Sequence, residues 1–240
     1  MGGSVQNNFV AGLSRRSDGR LSIAHLDASE MFECAVADLE GLEQGAKRER
    51  DDRMEAADRH IPAWVNHTLG ALILAKRSGA TLSGCDILLT SNVPYGAGMS
   101  NSAANCVAVS LVLDAALAEL NLKEDIDLVT FARKAENSDF AGGRCGWLDQ
   151  LLIVCSTSDS LTMIDYAGNK TEHFESRLPA HMQVVAINTN VPHVLAESEY
   201  NHRVMELELA FCTLSAALGR DVGSTTFSLA SLNALATAID

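Results

Sequence analysis

The chain has 240 residues, of which 47% are hydrophobic, 20% are charged and only 5% are aromatic, with a formal net charge of −13. This composition predicts a globular protein with an aliphatic core, and the negative charge excludes a general binder of nucleic acid or anionic membrane, because both need clustered Lys and Arg. No apolar run reaches the roughly 18 residues of a membrane span. The six cysteines are scattered without a C-x-x-C pair, so we expect a cytoplasmic protein with reduced thiols.

The first predicted elements are strands. Residues 9–26 contain two β-rich runs separated by Asp18-Gly19, a turn pair that predicts a hairpin. The run 43–60 is densely charged with both signs, which predicts a solvated helix or a surface connection.

A helix and a buried strand follow. Apolar residues recur at helical spacing from Ile61, with Pro62 in the first turn and Gly79 at the C-terminal stop. The run "CDILLTSNVP", residues 85–94, predicts a buried strand that ends at its proline.

The later elements alternate in the same way. The stretch from Ser102 to Leu120 is apolar nearly all round, which predicts a central buried helix. Further elements are expected as helices over 128–137 and 197–214 and as strands over 160–166 and 183–190.

A glycine-rich loop joins the buried strand to the central helix and is the candidate ligand site. Gly96 and Gly98 let a ligand approach the main chain, and the free N–H groups of a helix start attract negative charge. The hydroxyls of Ser100 and Ser102 add hydrogen bonds or a magnesium ligand. The G-K-[ST] of a Walker loop is absent, and Asn101 stands where a dinucleotide loop needs a third glycine. The pattern alone fits either a phosphate cradle or a Gly-rich turn with a serine cap.

Four blocks of sequence resemble the GHMP small-molecule kinases, and in particular their galactokinase family. "PYGAGMSNSAA" resembles the phosphate motif P-x-G-x-G-L-S-S-S-A, and "AENSDFAGGRCGWLDQ" resembles A-E-x-x-F-x-G-x-x-C-G-I-M-D-Q. "INTNVPHVLAESEYNHR" resembles N-S-N-x-x-H-x-L-x-x-S-x-Y-x-x-R, and "WVNHTLGAL" resembles W-x-N-Y-x-x-G. The blocks follow the family's order, and the resemblance covers about residues 9–215.

The resemblance implies the fold and the reaction. It implies an α/β (α+β) GHMP kinase, with the ATP-binding N-terminal domain at 1–180 and an incomplete start of the C-terminal domain at 181–240. It also implies Mg²⁺-dependent transfer of the ATP γ-phosphate to the anomeric hydroxyl of galactose. The expected partners are therefore the sugar and ATP, without nucleic acid or membrane. A kinase for arabinose, a uronic acid or an N-acetylhexosamine is the first alternative, and a non-catalytic sensor of galactose and ATP is the second.

The resemblance also assigns residues. Asp149 would lie against the attacking hydroxyl, either taking its proton or orienting it, while Gly146, Asp149 and Tyr200 would bind the sugar. Magnesium would lie at Ser102 and Glu136. The ATP phosphates would lie on Gly96, Ala97, Gly98, Met99, Ser100, Asn101 and Ser102. Trp64 would flank the adenine, with an ordinary core position as its alternative.

The chain departs from the family pattern in two ways. One extra residue separates Glu136 from Cys145, so Asn137 or Asp139 is the alternative to Glu136 at the metal. The family's opening motif with its arginine, and its late glycine-rich motif, have no counterpart in these 240 residues. Because a charge-stabilising arginine contributes on the order of 10³-fold or more, we expect this chain alone to turn over below about 1 s⁻¹. A gene fragment without a function of its own is a further alternative.

Overall fold

Four strands form a mixed sheet in the computed structural model, which describes residues 5–27, 29–51, 60–158, 160–166, 170–175, 181–182, 185, 187 and 199–219. The strands are β1 (Phe9–Arg15), β2 (Arg20–His25), β3 (Glu30–Ala35) and β4 (Cys85–Ser91), in the order β1-β4-β2-β3. β4 runs antiparallel to β1 and parallel to β2, and β2 pairs antiparallel with β3.

The predicted hairpin at Asp18-Gly19 is wrong, although both of its strands exist. The tight turn is present, since Gly19 has φ +73° and the Asp18 carboxylate accepts the Arg20 N–H at 3.2 Å. However, β4 lies between β1 and β2, so these two strands do not pair with each other. Arg16 links the turn to the inserted strand, because its guanidinium contacts both Asp18 and Asp86.

Six α-helices, two short 3-10 helices (Val36–Asp38 and Ala63–Val65) and a second, two-stranded sheet complete the described elements. The helices are α1 (Leu39–Asp51), α2 (Asn66–Arg77), α3 (Asn101–Ala116), α4 (Asp125–Glu136), α5 (Leu148–Cys155) and α6 (Glu199–Ala217). Strands β5 (Ser160–Asp165) and β6 (Lys170–Glu175) pair antiparallel. The mixed α/β fold and the helices expected over 61–79, 102–120, 128–137 and 197–214 are confirmed, as is the strand expected over 160–166. The strand expected over 183–190 lies outside the described residues, and the division at residue 180 stays a prediction.

Some helix boundaries differ from the expectation for local reasons. Pro62 is the N-cap of a short 3-10 helix, Ala63–Val65, so α2 begins only at Asn66. α3 ends at Ala116, four residues early, because Leu117 is extended and the Asp114 carboxylate accepts the Leu122 N–H at 2.8 Å. α4 begins three residues early, because the side chains of Glu124 and Asp127 form a capping box.

The core lies between the larger sheet and the helices α2, α3 and α4. Alternate residues of β2 and β4 face the helices, so that Leu21, Ile23, Ile87 and Leu89 are buried, whereas the intervening Leu88 is exposed. α3 packs on β1 and on both neighbouring helices, which agrees with its all-round apolar sequence. In the described part of the chain, every helix is too short or too polar to cross a lipid bilayer.

A glycine sets the distance between α2 and α4. A Cβ at Gly70 would overlap the carbonyl oxygen of Ala135 and the hydroxyl of Ser138. The absence of a side chain therefore lets α2 approach the backbone at the C-terminal end of α4, next to Glu136.

The charged run 43–60 forms the C-terminal part of α1 as far as Asp51, and residues 52–59 lie outside the described residues. The expected solvated face is not uniform. Glu43 is 4% exposed, and its carboxylate accepts hydrogen bonds from both terminal nitrogens of Arg77, at 2.5 and 3.3 Å. One end of the charged run is thus an anchor of α1 to α2.

Candidate functional site

The loop between β4 and α3 has the backbone geometry of an anion cradle. Gly96 and Gly98 have φ angles of +66° and +70°, and Ser100, at the N-cap of α3, has φ +57°. The hydroxyl of Ser100 makes no capping hydrogen bond, so it leaves the first N–H groups of α3 to another acceptor. Asn101 closes the loop, because its side-chain amide donates to the Val93 carbonyl at 2.9 Å.

A pocket of about 310 Å³ lies over this loop. Its wall contains most of the residues predicted to bind ATP phosphates, namely Gly96, Gly98, Met99, Ser100, Asn101 and Ser102. Ala97 belongs to the loop but is not part of the wall. Asp149, the predicted catalytic residue, is part of the wall, so loop and carboxylate face one space.

Ser102 and Glu136, the two predicted magnesium ligands, are in contact. Glu136 is 2% exposed and accepts hydrogen bonds from the side chains of Ser102, Cys145 and Gln150. Burial raises the pKa of Glu136, and the nearby charge of Asp149 raises it further, against the lowering effect of those three donors.

Asn137 and Asp139, the alternatives to Glu136 as metal ligand, have other partners. Asn137 brackets Cys145, accepting its backbone N–H at 2.9 Å and donating to its carbonyl at 3.1 Å. Asp139 pairs with Lys47 and Arg50. The extra residue before Cys145 is therefore accommodated in the loop, and Glu136 is the acidic residue beside Ser102.

Asp149 owes its position to α5, a helix that the sequence pattern did not predict. It is the second residue of α5, where the helix dipole favours a negative charge. The preceding turn, Gly146-Trp147, leads into a different and larger space. Asp149 thus lines the loop pocket, two residues after Trp147, which lines the second cavity.

The second cavity measures about 1640 Å³ and is lined by Gly146 and Tyr200, two of the residues predicted to bind the sugar. Tyr166, at the end of β5, also lines it and was not identified from the sequence. Burial raises the pKa of Tyr166, and the charges of Asp149 and Tyr200 raise it further. Tyr166 therefore lies near Asp149 and Tyr200, although it belongs to none of the sequence motifs.

Trp147 is a further residue of this cavity that the motif did not single out. The guanidinium of Arg133 lies 4.8 Å from the centre of the indole, and its Nε donates to the Cys145 carbonyl at 3.1 Å. The cation–π contact fixes the ring at the cavity wall. The only sequence signal was that a tryptophan stands where the galactokinase motif has isoleucine.

Trp64 lies behind the loop pocket rather than in its wall. It packs edge-on against His25, with ring centres 5.9 Å apart, and its indole N–H finds no acceptor among the described residues. Its neighbours Ala63, Asn66 and His67 line the pocket instead. Burial lowers the pKa of His67 to about 4, so this ring is neutral at physiological pH. Contact between Trp64 and adenine stays a prediction.

Comparison with known proteins gives a consistent family. Residues 66–157 match the model of the GHMP kinases N-terminal domain. The galactokinase of Roseiflexus sp. (strain RS-1) is 34% identical over 213 residues, covering 81% of this chain and 53% of that protein. The galactokinase of Clostridium tetani is 27% identical over 87% of this chain and 55% of that protein.

One solved structure shows the same fold. The galactokinase of Lactococcus lactis, crystallised with galactose, aligns with a TM-score of 0.64 at 21% identity, covering 99% of this chain and 56% of that one. The chain spans about half the length of the relatives it matches. The family match, the two sequence relatives and the shared fold agree: the chain belongs to the galactokinase family of the GHMP kinases.

Proposed function

We propose that this protein transfers the γ-phosphate of ATP to the anomeric hydroxyl of galactose. One observation carries the proposal: Asp149 lines the pocket of the glycine loop, while Gly146 and Trp147, just before it in the chain, line the cavity that also contains Tyr200. The family relation supports the choice of sugar, because its sequence relatives are galactokinases and the Lactococcus lactis protein was crystallised with galactose.

The ATP phosphates lie on the loop from Gly96 to Ser102 in this proposal. The left-handed backbone of the loop and the free N–H groups of α3 supply hydrogen bonds and a favourable dipole. The adenine lies toward Asn66 and neutral His67, with Trp64 behind them. Asn66 suits this role, since its side-chain oxygen is buried and accepts no hydrogen bond within the described residues.

Magnesium fits the contact between Ser102 and Glu136. A hydroxyl and a carboxylate are the hard oxygen donors that Mg²⁺ prefers, and this ion usually keeps several waters and phosphate oxygens in its shell. The described residues contain no group of three His, Cys, Asp or Glu that could hold a metal alone, which agrees with an ion held largely by phosphate. When bound, the ion would neutralise charge on the phosphates. Ser102 and Glu136 would hold it there.

In the transfer step, Asp149 acts on the attacking hydroxyl of the sugar. The anomeric oxygen forms a bond to the γ-phosphorus while the bond from that phosphorus to the β–γ bridging oxygen breaks, and its electron pair leaves with ADP. The carboxylate of Asp149 accepts the hydroxyl proton and later returns it to water. Gly146 and Tyr200 hold the sugar, and Trp147 and Tyr166 shape the cavity. All six cysteines are free thiols, which supports a reducing, cytoplasmic setting.

The test is galactose-dependent release of ADP from MgATP by the purified chain, followed long enough to detect slow turnover. We expect release that Asp149→Asn lowers by about 10²-fold or more. Asp38→Asn is the matched control, because Asp38 is exposed and lines neither cavity.

A binding measurement accompanies the activity assay. The chain contains two tryptophans, and we propose that only Trp147 lines the sugar cavity. Galactose should change the fluorescence of the wild type and of Trp64→Phe, but not that of Trp147→Phe. A chain that neither releases ADP with galactose nor responds to it by fluorescence would contradict the proposal.

A further inference from the structure

We propose that Arg50 is an additional catalytic residue, whose guanidinium contacts the transferring phosphoryl group. The proposal rests on the function proposed above. Its starting observation is that the two cavities share one wall residue among those described, and that residue is Arg50. A group in both walls is at the boundary between nucleotide and sugar, where the phosphoryl group must cross.

The guanidinium is held in place by the loop after α4. One terminal nitrogen donates to the Asp139 carbonyl at 2.8 Å, and the other lies 3.8 Å from the Asp139 carboxylate. A Cβ at Gly142, whose φ is +69°, would come within 2.7 Å of the guanidinium carbon. The glycine therefore makes room for Arg50, and the side chain is only 19% exposed.

The charge balance of the loop pocket favours a role in transfer. Apart from Arg50, the ionised side chains among the described wall residues are Glu49 and Asp149, both negative. His67 is neutral, because burial lowers its pKa to about 4. Arg50 is thus the permanent cation of the described wall, in a pocket proposed for a strongly anionic ligand. Five N–H donors in a planar fork match phosphoryl oxygens well.

Arg50 takes no part in bond making. As the anomeric oxygen bonds to the γ-phosphorus and the bridging oxygen leaves with ADP, the guanidinium donates hydrogen bonds to the non-bridging oxygens. It keeps its own protons, and the hydroxyl proton goes to Asp149. The interaction is strongest when the transferring group lies between donor and acceptor, so it stabilises the transition state more than bound ATP.

A purely structural role would have a different consequence. Arg50 also joins α1 to the loop at Asp139, and losing this link alone would weaken the binding of all ligands together. The test therefore compares MgADP with a mimic of the transition state, which is MgADP with aluminium fluoride and galactose. Both affinities are measured by calorimetry on the 240-residue chain.

In the wild type, aluminium fluoride and galactose should tighten MgADP binding. Arg50→Ala should lose at least tenfold of that tightening, with MgADP affinity changed less than about threefold, and Arg50→Lys should recover part of it. Arg48→Ala is the control, since Arg48 is an exposed arginine of the same helix that lines neither cavity.

Two results would overturn the inference alone. In one, Arg50→Ala retains the wild-type tightening. In the other, the wild type binds MgADP but gains nothing from aluminium fluoride and galactose. A wild type that binds no MgADP would instead contradict the proposed function, and the inference with it.

Discussion

Replacing Glu136 by glutamine should make the protein more stable and less able to use magnesium. Glu136 is almost fully buried, and its pKa is raised by burial and by the charge of Asp149. The ionised carboxylate therefore opposes folding at neutral pH, even with three hydrogen-bond donors around it. Glutamine has nearly the same shape and carries no charge.

The size of the effect follows from opposing contributions. Each donor to a charged group is worth about 1.5–3 kcal/mol, while burying a carboxylate costs several kcal/mol. Because the pKa is raised, burial outweighs the donors. We expect Glu136→Gln to gain about 1 kcal/mol in the free energy of unfolding at pH 7. For a chain of this size that is a rise of about 2–4 °C in the melting temperature.

The gain should depend on pH in a defined direction. With a raised folded pKa, the folded state keeps the proton of Glu136 when the unfolded chain has lost it, so wild-type stability falls as pH rises from about 4.5 through the folded pKa. The advantage of the variant should be full above that range and should vanish below it. Thermal melts at several pH values, without magnesium, measure this.

Magnesium dependence is the second readout of the same variant. If Glu136 holds the ion with Ser102, the factor by which Mg²⁺ tightens ADP binding should fall about tenfold or more. Glu172→Gln is the control, since Glu172 is exposed on β6. A variant that melts lower than the wild type at pH 7, with its magnesium dependence intact, would refute the reasoning on both counts.

Three further expectations concern packing, pairing and thiols. Gly70→Ala should cost about 2 kcal/mol in urea unfolding, because backbone lies where its Cβ would go; Gly45→Ala, with open space, should stabilise by about 0.5–1 kcal/mol. Arg77→Ala should lower the free energy of unfolding by about 2 kcal/mol, because it leaves Glu43 unpaired. The loss is smaller than for a fully buried pair, since the Arg77 side chain is 53% exposed. Adding Glu43→Gln should restore part of it. Cys212 is the exposed cysteine of the six, so a thiol reagent should modify one group quickly in the native protein, and several fast groups would contradict the described burial.

The local sequence pattern predicted most helices and strands, but it failed where the pairing of an element depends on segments distant in the sequence. The Asp18-Gly19 turn is as expected, yet the pairing partner of β1 comes from β4, which no turn signal near residue 18 can indicate. α3 was recognised because apolar residues cover it nearly all round. α5 was not predicted, because the family motif covers its first residues and eight residues are too few to show a clear helical spacing.

The candidate site shows the same division. The loop, Ser102, Glu136 and Asp149 carry motif signals, and they lie together in the structure. Tyr166 and Arg50 carry none, because they reach the cavities from a strand end and from a charged helix whose sequence resembles an ordinary surface. Their positions depend on tertiary packing, such as the space left at Gly142 for Arg50.

The insertion of β4 between β1 and β2 also has a consequence for synthesis on the ribosome. β2 and β3 can pair as soon as both emerge, whereas β1 has no neighbour until β4 has been translated and the intervening helices have folded back. Until then β1 presents two open edges and an apolar side to the solvent. Chaperone demand during translation should therefore be greatest before residue 91 leaves the exit tunnel, and should fall once the strand closes the sheet.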